Sequence, residues 1–265
     1  MTRDRVKETF DAIREENRPG LFPYLTTGFP DLQATLDLIP ALVEAGADGI
    51  EFSIPFSDPL ADGPVIQESS FLALQGGVTP DDCLDLVAQV RDRVPDTPLI
   101  LMTYYNPAYT YGLARFAQRL SECGVDAVIP VDLPAEEAGP LYEECRPRNV
   151  HIVPLLAPTS TEESIKTAVA ISSGFIYCVS LTGITGARDQ VSQTGIELIR
   201  RVRQHTTLPL AMGFGISRRE HVEAVCEEAE AAAVGSALIR TMLESPRDEL
   251  VARASRLVAE LAGRV

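Results

Sequence analysis

Short apolar segments rich in β-forming residues alternate with longer segments of helical period along the whole chain, and this alternation sets the narrowest limits on the fold. Eight such pairs follow one another. Strands that are apolar on both faces and separated by helices indicate a parallel sheet covered by helices, and eight units in this length predict an α/β fold closed into a (β/α)8 TIM barrel. The strand segments read LFPYLTT, DGIEFSI, PLILMTYY, VDAVIPV, HIVPLLAP, GFIYCVSL, LPLAMG and AAAV.

An open, doubly wound sheet is the structural alternative to the barrel. A dinucleotide site in such a sheet would need a GxGxxG turn after the first strand, and the sequence has none there. The first strand is preceded by an amphipathic segment that carries Val6, Phe10 and Ile13 on one face. We therefore expect residues 1–265 to form a single-domain (β/α)8 barrel with an extra N-terminal helix.

The charge and cysteine content argue against several classes of partner. Asp and Glu total 38 against 23 Lys and Arg, and the resulting formal charge of -15 repels nucleic acid and anionic lipid surfaces. The five cysteines are scattered without CxxC spacing, so neither a disulfide framework nor a zinc site is indicated. The chain also lacks the apolar core of a signal peptide and any apolar run of membrane-spanning length. We expect a soluble, cytoplasmic protein that binds neither nucleic acid nor membrane.

A carboxylate, Glu51, interrupts the otherwise apolar second strand. Burying an ionised group is costly unless it is paired or its pKa rises, so function is the usual reason to keep one. The following loop supplies Asp58 and Asp62, and a second acid facing Glu51 across a pocket mouth would suit proton transfer. For Asp58 the alternative is an ordinary role in stabilising the turn before Pro59. For Tyr177, late in the sixth strand, a structural role in the core is equally open. Asp132 is expected to cap the helix after it.

Three glycine-bearing turns late in the chain together predict a phosphate site. They are TGITG at 182–186, GFGIS at 213–217 and GS at 235–236, and each lies between a strand and a helix. Glycine lets the backbone approach a phosphate closely, and the N-terminus of the following helix points unpaired amides at it. Loops need glycine in any case, so a single turn of this kind would be weak evidence.

The positions of the lysines and histidines narrow the chemistry. The two lysines, Lys7 and Lys166, fall within helices, where a Schiff base at the catalytic end of a barrel would not form. His151, His205 and His221 are spread over a strand entry, a loop and a helix, so they are not expected to converge on one metal ion. We expect carboxylate acid/base chemistry on a phosphorylated substrate, with no metal and no cofactor.

Seven motifs in this order closely resemble the tryptophan synthase alpha chain family: PYLTTGFPD, IEFSIPFSDPLADGPVIQ, TYYNP, VDLPAEE, APTST, TGITGAR and GFGIS. The resemblance covers essentially the whole chain. It implies a (β/α)8 barrel that acts as a lyase and splits indole-3-glycerol phosphate into indole and glyceraldehyde 3-phosphate. This retro-aldol reaction needs neither metal nor cofactor.

The resemblance also implies roles for individual residues. By motif position, Glu51 is the general acid/base, Asp62 holds the indole N–H, and Tyr177 is a pocket tyrosine near Glu51. The implied phosphate site consists of Gly186, Gly215, Gly235 and Ser236. The implied indole pocket consists of Tyr24, Met102, Ile129, Leu155 and Phe214, and it rests partly on strand parity.

A partner is implied as well, because alpha chains of this family work bound to a pyridoxal-phosphate beta chain, as α2β2 heterotetramers. The corresponding loops are Pro55 to Asp58 after the second strand and Asn106 to Gly112 after the third. Two alternatives stay open: a free-standing indole-3-glycerol phosphate lyase that releases indole, and a non-catalytic phosphate-binding subunit that only activates a beta chain.

The sequence departs from the family pattern at three places. Ser53 stands two residues after Glu51, where the family usually has glycine. The approach to the eighth strand reads EEAEAAAV and is one residue shorter, which leaves the register of the loop at Gly235 open. The loop after the sixth strand reads SLTG and has no basic residue of the kind that some relatives carry there.

Overall fold

The computed structural model of the chain describes residues 3–179, 193–213 and 215–265. Within them, parallel strands pair in the order β5-β4-β3-β2-β1-β9-β8-β7-β6. The strands are β1 (Gly20–Thr26), β2 (Ile50–Ser53), β3 (Leu99–Thr103), β4 (Ala127–Pro130), β5 (His151–Ile152), β6 (Leu155–Leu156), β7 (Ile176–Val179), β8 (Leu210–Gly213) and β9 (Ala231–Val234).

The two ends of this order, β5 and β6, are consecutive pieces of one strand, so the sheet closes on itself. The interruption falls at Pro154, whose lack of an N–H removes one donor from the ladder. Its carbonyl accepts only a long bond from the Tyr177 amide, at 3.4 Å. Counting both pieces as one strand gives an eight-stranded parallel barrel in the part of the chain that is described. The predicted (β/α)8 fold is confirmed.

Helices follow the strands and cover the barrel. In the described residues they are α1 (Arg5–Glu15), α2 (Leu32–Ala45), α3 (Pro64–Gln75), α4 (Pro80–Arg93), α5 (Tyr105–Tyr111), α6 (Leu113–Cys123), α7 (Gly139–Cys145), α8 (Glu162–Ile171), α9 (Gln193–Arg203), α10 (Arg219–Cys226), α11 (Ser236–Leu243) and α12 (Leu250–Leu261). Short 3₁₀ turns occupy Ala135–Glu137 and Arg146–Arg148. Local sequence explains many of the starts; for example, Thr79 and Asp82 form a capping box at α4.

The alternation of side chains along each strand separates two apolar cores. In β2, Ile50 and Phe52 point outward and pack under the helices, in the larger core. Successive residues of a strand face opposite sides, so Glu51 and Ser53 point into the barrel. All four residues of β2 are buried, which explains why its outward positions are apolar; the two inward positions carry the polar side chains. The strand therefore carries a carboxyl group into the interior of the barrel.

The extra N-terminal helix, α1, closes one end of the barrel. Its side chains Val6, Phe10 and Ile13 belong to the inner core and are nearly inaccessible to solvent. The Phe10 ring packs edge-on against Phe22 at a centroid distance of 5.4 Å, and it packs in a tilted arrangement against Phe175 at 5.3 Å. Since this end is filled with aromatic side chains, a ligand can enter the barrel only from the carboxyl ends of the strands.

Two local expectations are wrong. The segment from Asn106 to Gly112 is mostly helical, because α5 occupies Tyr105–Tyr111. Asp132 does not cap the helix that follows it; its Oδ1 accepts a hydrogen bond of 2.7 Å from the backbone N–H of Tyr105, at the start of α5. The carboxylate thus satisfies a free amide of a helix brought close by the fold, which sequence neighbours alone could not indicate.

Candidate active site

Glu51 lies on the inner face of β2 with its side chain fully buried. The Tyr177 hydroxyl donates a 3.3 Å hydrogen bond to Glu51 Oε2, and Glu51 Oε1 has no partner among the described residues. Burial raises the pKa of Glu51 to about 8, and the hydrogen bond from Tyr177 opposes this only in part. A buried carboxyl group with a free oxygen and a pKa near neutrality is suited to move protons.

Gly213 leaves the space that the Tyr177 phenol occupies. A Cβ atom placed on Gly213 would lie 2.2 Å from the Tyr177 hydroxyl and 2.8 Å from its ring carbon Cζ. These distances are far inside van der Waals contact, so any larger residue at position 213 has to displace the phenol. The glycine at the end of β8 is therefore required by the position of the Tyr177 phenol, which donates to Glu51.

This contact leads to a testable expectation for Gly213→Ala. The added methyl group displaces the Tyr177 hydroxyl from Glu51, and we expect kcat/KM for the cleavage proposed below to fall about 10- to 100-fold, the usual worth of a hydrogen bond to a charged group. Gly139→Ala is the matched control, because a Cβ there meets no atom within 4 Å. Unchanged activity in Gly213→Ala would show that the Tyr177 contact does not matter.

A narrow, mostly apolar cavity opens next to these residues at the carboxyl ends of β1 to β4. The side chains that line it include Tyr24, Ser53, Phe56, Asp62, Met102 and Tyr104. Glu51 is not among the lining side chains but is paired with Tyr24 in the register of β1 and β2. Asp62 therefore lies on the wall of the cavity, and Glu51 lies beside Tyr24, another residue of that wall, so the fold brings the two predicted acids to the same end of the barrel.

Asp62 is held by a contact that the sequence did not indicate. The Tyr104 hydroxyl donates to Asp62 Oδ2 at 3.1 Å and accepts from the Ala61 amide at 3.0 Å. Burial raises the pKa of Asp62 to about 6, and the Tyr104 hydrogen bond lowers it in part. Phe56 packs against the Tyr104 ring at a centroid distance of 5.0 Å. The TYYNP motif contains Tyr104 but gives no sign of its partner.

The five residues of the predicted indole pocket are distributed unevenly. Tyr24 and Met102 line the cavity. Ile129 and Leu155 lie on the inner face of the barrel, in the core around Phe22, and do not line the cavity. Phe214 lies outside the described residues. Two of the five predicted residues are thus brought to the cavity by the fold.

The predicted phosphate residues that the structure describes lie after two neighbouring strands, on the same side of the barrel. Gly235 directly follows β9 and forms the N-cap of α11, which Ser236 begins and which has no side-chain cap. A Cβ on Gly235 would lie 3.5 Å from atoms of Tyr24 and Ile66, so this helix N-terminus adjoins the cavity. Gly215, with a φ of 80°, follows β8. Gly186 lies outside the described residues.

The histidines occur in separate structural contacts. His151 lies 3.1 Å from Asp4, His205 lies 2.9 Å from Glu162, and His221 accepts from the Ser217 amide at 3.3 Å. In the described ranges, no group of three or more His, Cys, Asp or Glu side chains could hold a metal ion. Over the same residues, no helix is both long enough and apolar enough to cross a membrane.

A parallel barrel with a buried and a half-buried carboxyl group at its open end, beside an apolar cavity and an uncapped helix N-terminus, defines a (β/α)8 enzyme equipped for acid/base chemistry. The sequence model of the tryptophan synthase alpha chain family matches residues 10–262. The chain belongs to the tryptophan synthase alpha chain family.

Individual relatives agree with this assignment. The chain is 46% identical to the tryptophan synthase alpha chain of Roseiflexus castenholzii, over 98% of this chain and 99% of the relative. It is likewise 46% identical to the alpha chain of Chloroflexus aggregans, over 97% of both. Among solved structures, subunit alpha from Legionella pneumophila matches with a TM-score of 0.89 at 34% identity, covering 99% of this chain and 98% of that one. A tryptophan synthase structure from M. tuberculosis matches with a TM-score of 0.89 at 34% identity, covering 98% of both chains.

Proposed function

We propose that Glu51 and Asp62 carry out the cleavage of indole-3-glycerol phosphate. As a member of the tryptophan synthase alpha chain family, the chain is a lyase that releases indole and glyceraldehyde 3-phosphate in the last step of L-tryptophan biosynthesis. The observation that carries the assignment of residues is the pair of carboxyl groups, both with raised pKa values: Asp62 lies half-buried on the wall of the apolar cavity, and Glu51 lies buried beside Tyr24 of the same wall. Measuring indole release by the purified chain tests the activity directly.

The two acids have different tasks in this mechanism. Asp62, as a carboxylate, accepts the indole N–H and stabilises the positive charge that develops when the ring carbon bearing the side chain is protonated. Glu51 removes the proton from the neighbouring side-chain hydroxyl and helps to deliver a proton to that ring carbon. The electrons of the carbon–carbon bond then return to the ring, so indole leaves and the hydroxyl carbon becomes the aldehyde. Tyr177 holds Glu51 through its 3.3 Å hydrogen bond.

The phosphate is assigned to the uncapped N-terminus of α11, with Gly235 and Ser236, together with Gly215 after β8. Free amides at a helix N-terminus attract an anion, and α11 has no side-chain cap to satisfy them. Because Gly235 adjoins Tyr24, a phosphate bound there would lie next to the cavity that receives the indole ring. Gly186 remains a predicted phosphate residue, and Ile129, Leu155 and Phe214 remain predicted for the indole pocket.

The raised pKa values predict the pH dependence of the reaction. Glu51 must be ionised to accept the hydroxyl proton, and its pKa is about 8, so kcat/KM should fall roughly tenfold for each pH unit below this value. Asp62, with a pKa of about 6, makes the fall steeper below that pH. A profile of kcat/KM from pH 5 to 9 checks this. The Asp62→Asn variant should keep the fall of kcat/KM that begins near pH 8. A wild-type profile that is flat between about pH 6 and 9 would contradict the assignment of Glu51.

The proposal includes a beta chain as partner, in an α2β2 assembly, docked at the mouth of the cavity. The supporting observation is the loop after β2, where Asp58 is exposed and Leu60 is 93% exposed. Asn106, in α5 nearby along the same rim, is exposed, whereas Pro55 is buried, so the exposed part of the loop after β2 begins beyond it. An exposed leucine beside the site entrance fits a protein contact. The single-domain boundary and a cytoplasmic location also remain predictions.

Adding a tryptophan synthase beta chain separates the proposal from its two alternatives. The subunit interpretation expects co-purification and a large rise in indole formation on adding the beta chain. A free-standing lyase would turn over rapidly alone and would not respond. A non-catalytic activator with Glu51 intact would form no indole, either alone or in complex with the beta chain. If the complex does form indole, loss of that activity in the Glu51→Gln variant shows that the activity belongs to this chain.

A further inference from the structure

A chain of buried hydroxyl groups leads to the cavity and ends at Ser53, a side chain that the mechanism above does not use. Ser69 Oγ on α3 lies 2.6 Å from Thr26 Oγ1. Thr26 Oγ1 lies 3.4 Å from the Tyr24 hydroxyl, and this hydroxyl lies 2.7 Å from Ser53 Oγ. All four residues are buried. Buried hydroxyl groups at such distances form a connected hydrogen-bond network.

The direction of the hydrogen bonds follows from the number of hydrogens. Ser69 donates its one hydroxyl hydrogen to the Ile66 carbonyl at 2.9 Å, so Thr26 has to donate to Ser69. Thr26 then has no hydrogen left for Tyr24. The Tyr24 phenol is a stronger acid than an aliphatic alcohol, and it donates across the short contact to Ser53 rather than across the long contact to Thr26.

This direction leaves the hydroxyl hydrogen of Ser53 without an acceptor in the described part of the chain. Ser53 Oγ has no second hydrogen-bond partner there, and its side chain lines the same cavity as Asp62. Ser53 also follows Glu51 on the inner face of β2, one inward position closer to the open end of the barrel. An unused donor at this place can be satisfied by an oxygen of the ligand.

We propose that Ser53 is a further substrate-binding residue, whose hydroxyl donates a hydrogen bond to a side-chain hydroxyl oxygen of indole-3-glycerol phosphate while Tyr24 fixes its direction. The inference rests on the proposed function. The indole N–H is itself a donor and cannot accept from Ser53, and the phosphate is assigned to α11. The side-chain hydroxyl oxygens are the acceptors that remain, and holding one of them beside Glu51 aligns the proton that Glu51 removes.

Two ligands that differ only in these hydroxyl groups test the proposal: indole-3-glycerol phosphate and its dideoxy analogue 3-(indol-3-yl)propyl phosphate. We expect Ser53→Ala to lower kcat/KM for the substrate about 3- to 10-fold, the usual worth of one neutral hydrogen bond. The inhibition constant of the analogue should stay the same, because the analogue has no oxygen for Ser53 to reach. An unchanged kcat/KM, or equal weakening of both ligands, would overturn the proposal.

A double-mutant cycle separates substrate binding from a purely internal role. If Ser53 serves only to accept the hydrogen bond from Tyr24, then Ser53→Ala does not lower kcat/KM further in a chain whose Tyr24 hydroxyl has already been removed by Tyr24→Phe. If Ser53 donates to the substrate, the double variant is still less active than Tyr24→Phe alone, and only this result supports the proposal. A wild-type chain that forms no indole would contradict the proposed function instead, and calorimetric binding of the same two ligands would then decide the role of Ser53.

Discussion

Replacement of Glu51 by Gln should lower the rate of indole formation by about 10²- to 10⁴-fold, the range typical for loss of a general acid/base. Glutamine keeps the size of the side chain and can still accept from Tyr177, but it cannot take up the hydroxyl proton. Binding of inorganic phosphate at α11 should be nearly unchanged, because that site shares no side chain with Glu51. Steady-state indole assays and phosphate titration of the same preparation measure both quantities.

The stability of this variant provides a control for folding. Glu51 ionises near its ordinary pKa of 4.5 in the unfolded chain and near 8 in the folded chain. The unfolded state therefore binds fewer protons between these pH values, and the free energy of unfolding falls as pH rises through them. Glutamine carries no charge to bury, so at pH 8 Glu51→Gln should unfold at no lower urea concentration than the wild type.

A substitution elsewhere in the barrel completes the comparison. Glu44→Gln changes an exposed carboxylate on α2, away from the cavity, and should leave indole formation unchanged. Turnover like that of the wild type in Glu51→Gln would refute its assignment as the proton shuttle. A loss of activity accompanied by unfolding at lower urea concentration would show that Glu51 has a structural role.

Replacement of Asp62 by Asn should have the second largest effect, a fall in kcat of about 10²- to 10³-fold. Asparagine fits the space and can accept from Tyr104, but it has no negative charge to stabilise the protonated ring. The charge is most important when the ring carbon is protonated, so kcat should fall more than the affinity for the dideoxy analogue. Rapid-quench turnover and inhibition by that analogue separate the two effects.

Tyr104→Phe is the matched comparison for Asp62→Asn. It removes the hydrogen bond to Asp62 but keeps the carboxylate and the aromatic contact with Phe56. We expect a loss of about tenfold, because a hydrogen bond to a charged group is removed but the charge remains. If Asp62→Asn costs no more than Tyr104→Phe, then Asp62 acts through position alone and not through its charge.

The sequence was sufficient to predict the barrel and the burial of Glu51, because both depend on local pattern. The eight alternating segments determine a parallel sheet covered by helices, and strand parity sends Glu51 inward. The break in the fifth strand at Pro154 was less evident, since HIVPLLAP reads as one apolar run. A proline removes a single ladder donor and splits the strand without opening the barrel.

The contact of Tyr104 with Asp62 could not be predicted from the sequence, and the proximity of Tyr177 to Glu51 was implied only by the family resemblance. The hydroxyl of Tyr104 reaches Asp62 across 42 positions of sequence, and that of Tyr177 reaches Glu51 across 126. Such distances depend on how neighbouring strands end and where each loop turns. The interaction between Tyr24 and Ser53 is of the same kind, because only the 2.7 Å contact between their hydroxyl groups shows that the two side chains are hydrogen-bonded.

The most direct test of the account is to measure both products that the wild-type chain forms from indole-3-glycerol phosphate. Indole and glyceraldehyde 3-phosphate should appear in equal amounts, at the same rate with and without a metal chelator, because the proposed chemistry uses only the side chains of this chain. Failure to form either product, or formation that stops on adding the chelator, would contradict cleavage by Glu51 and Asp62.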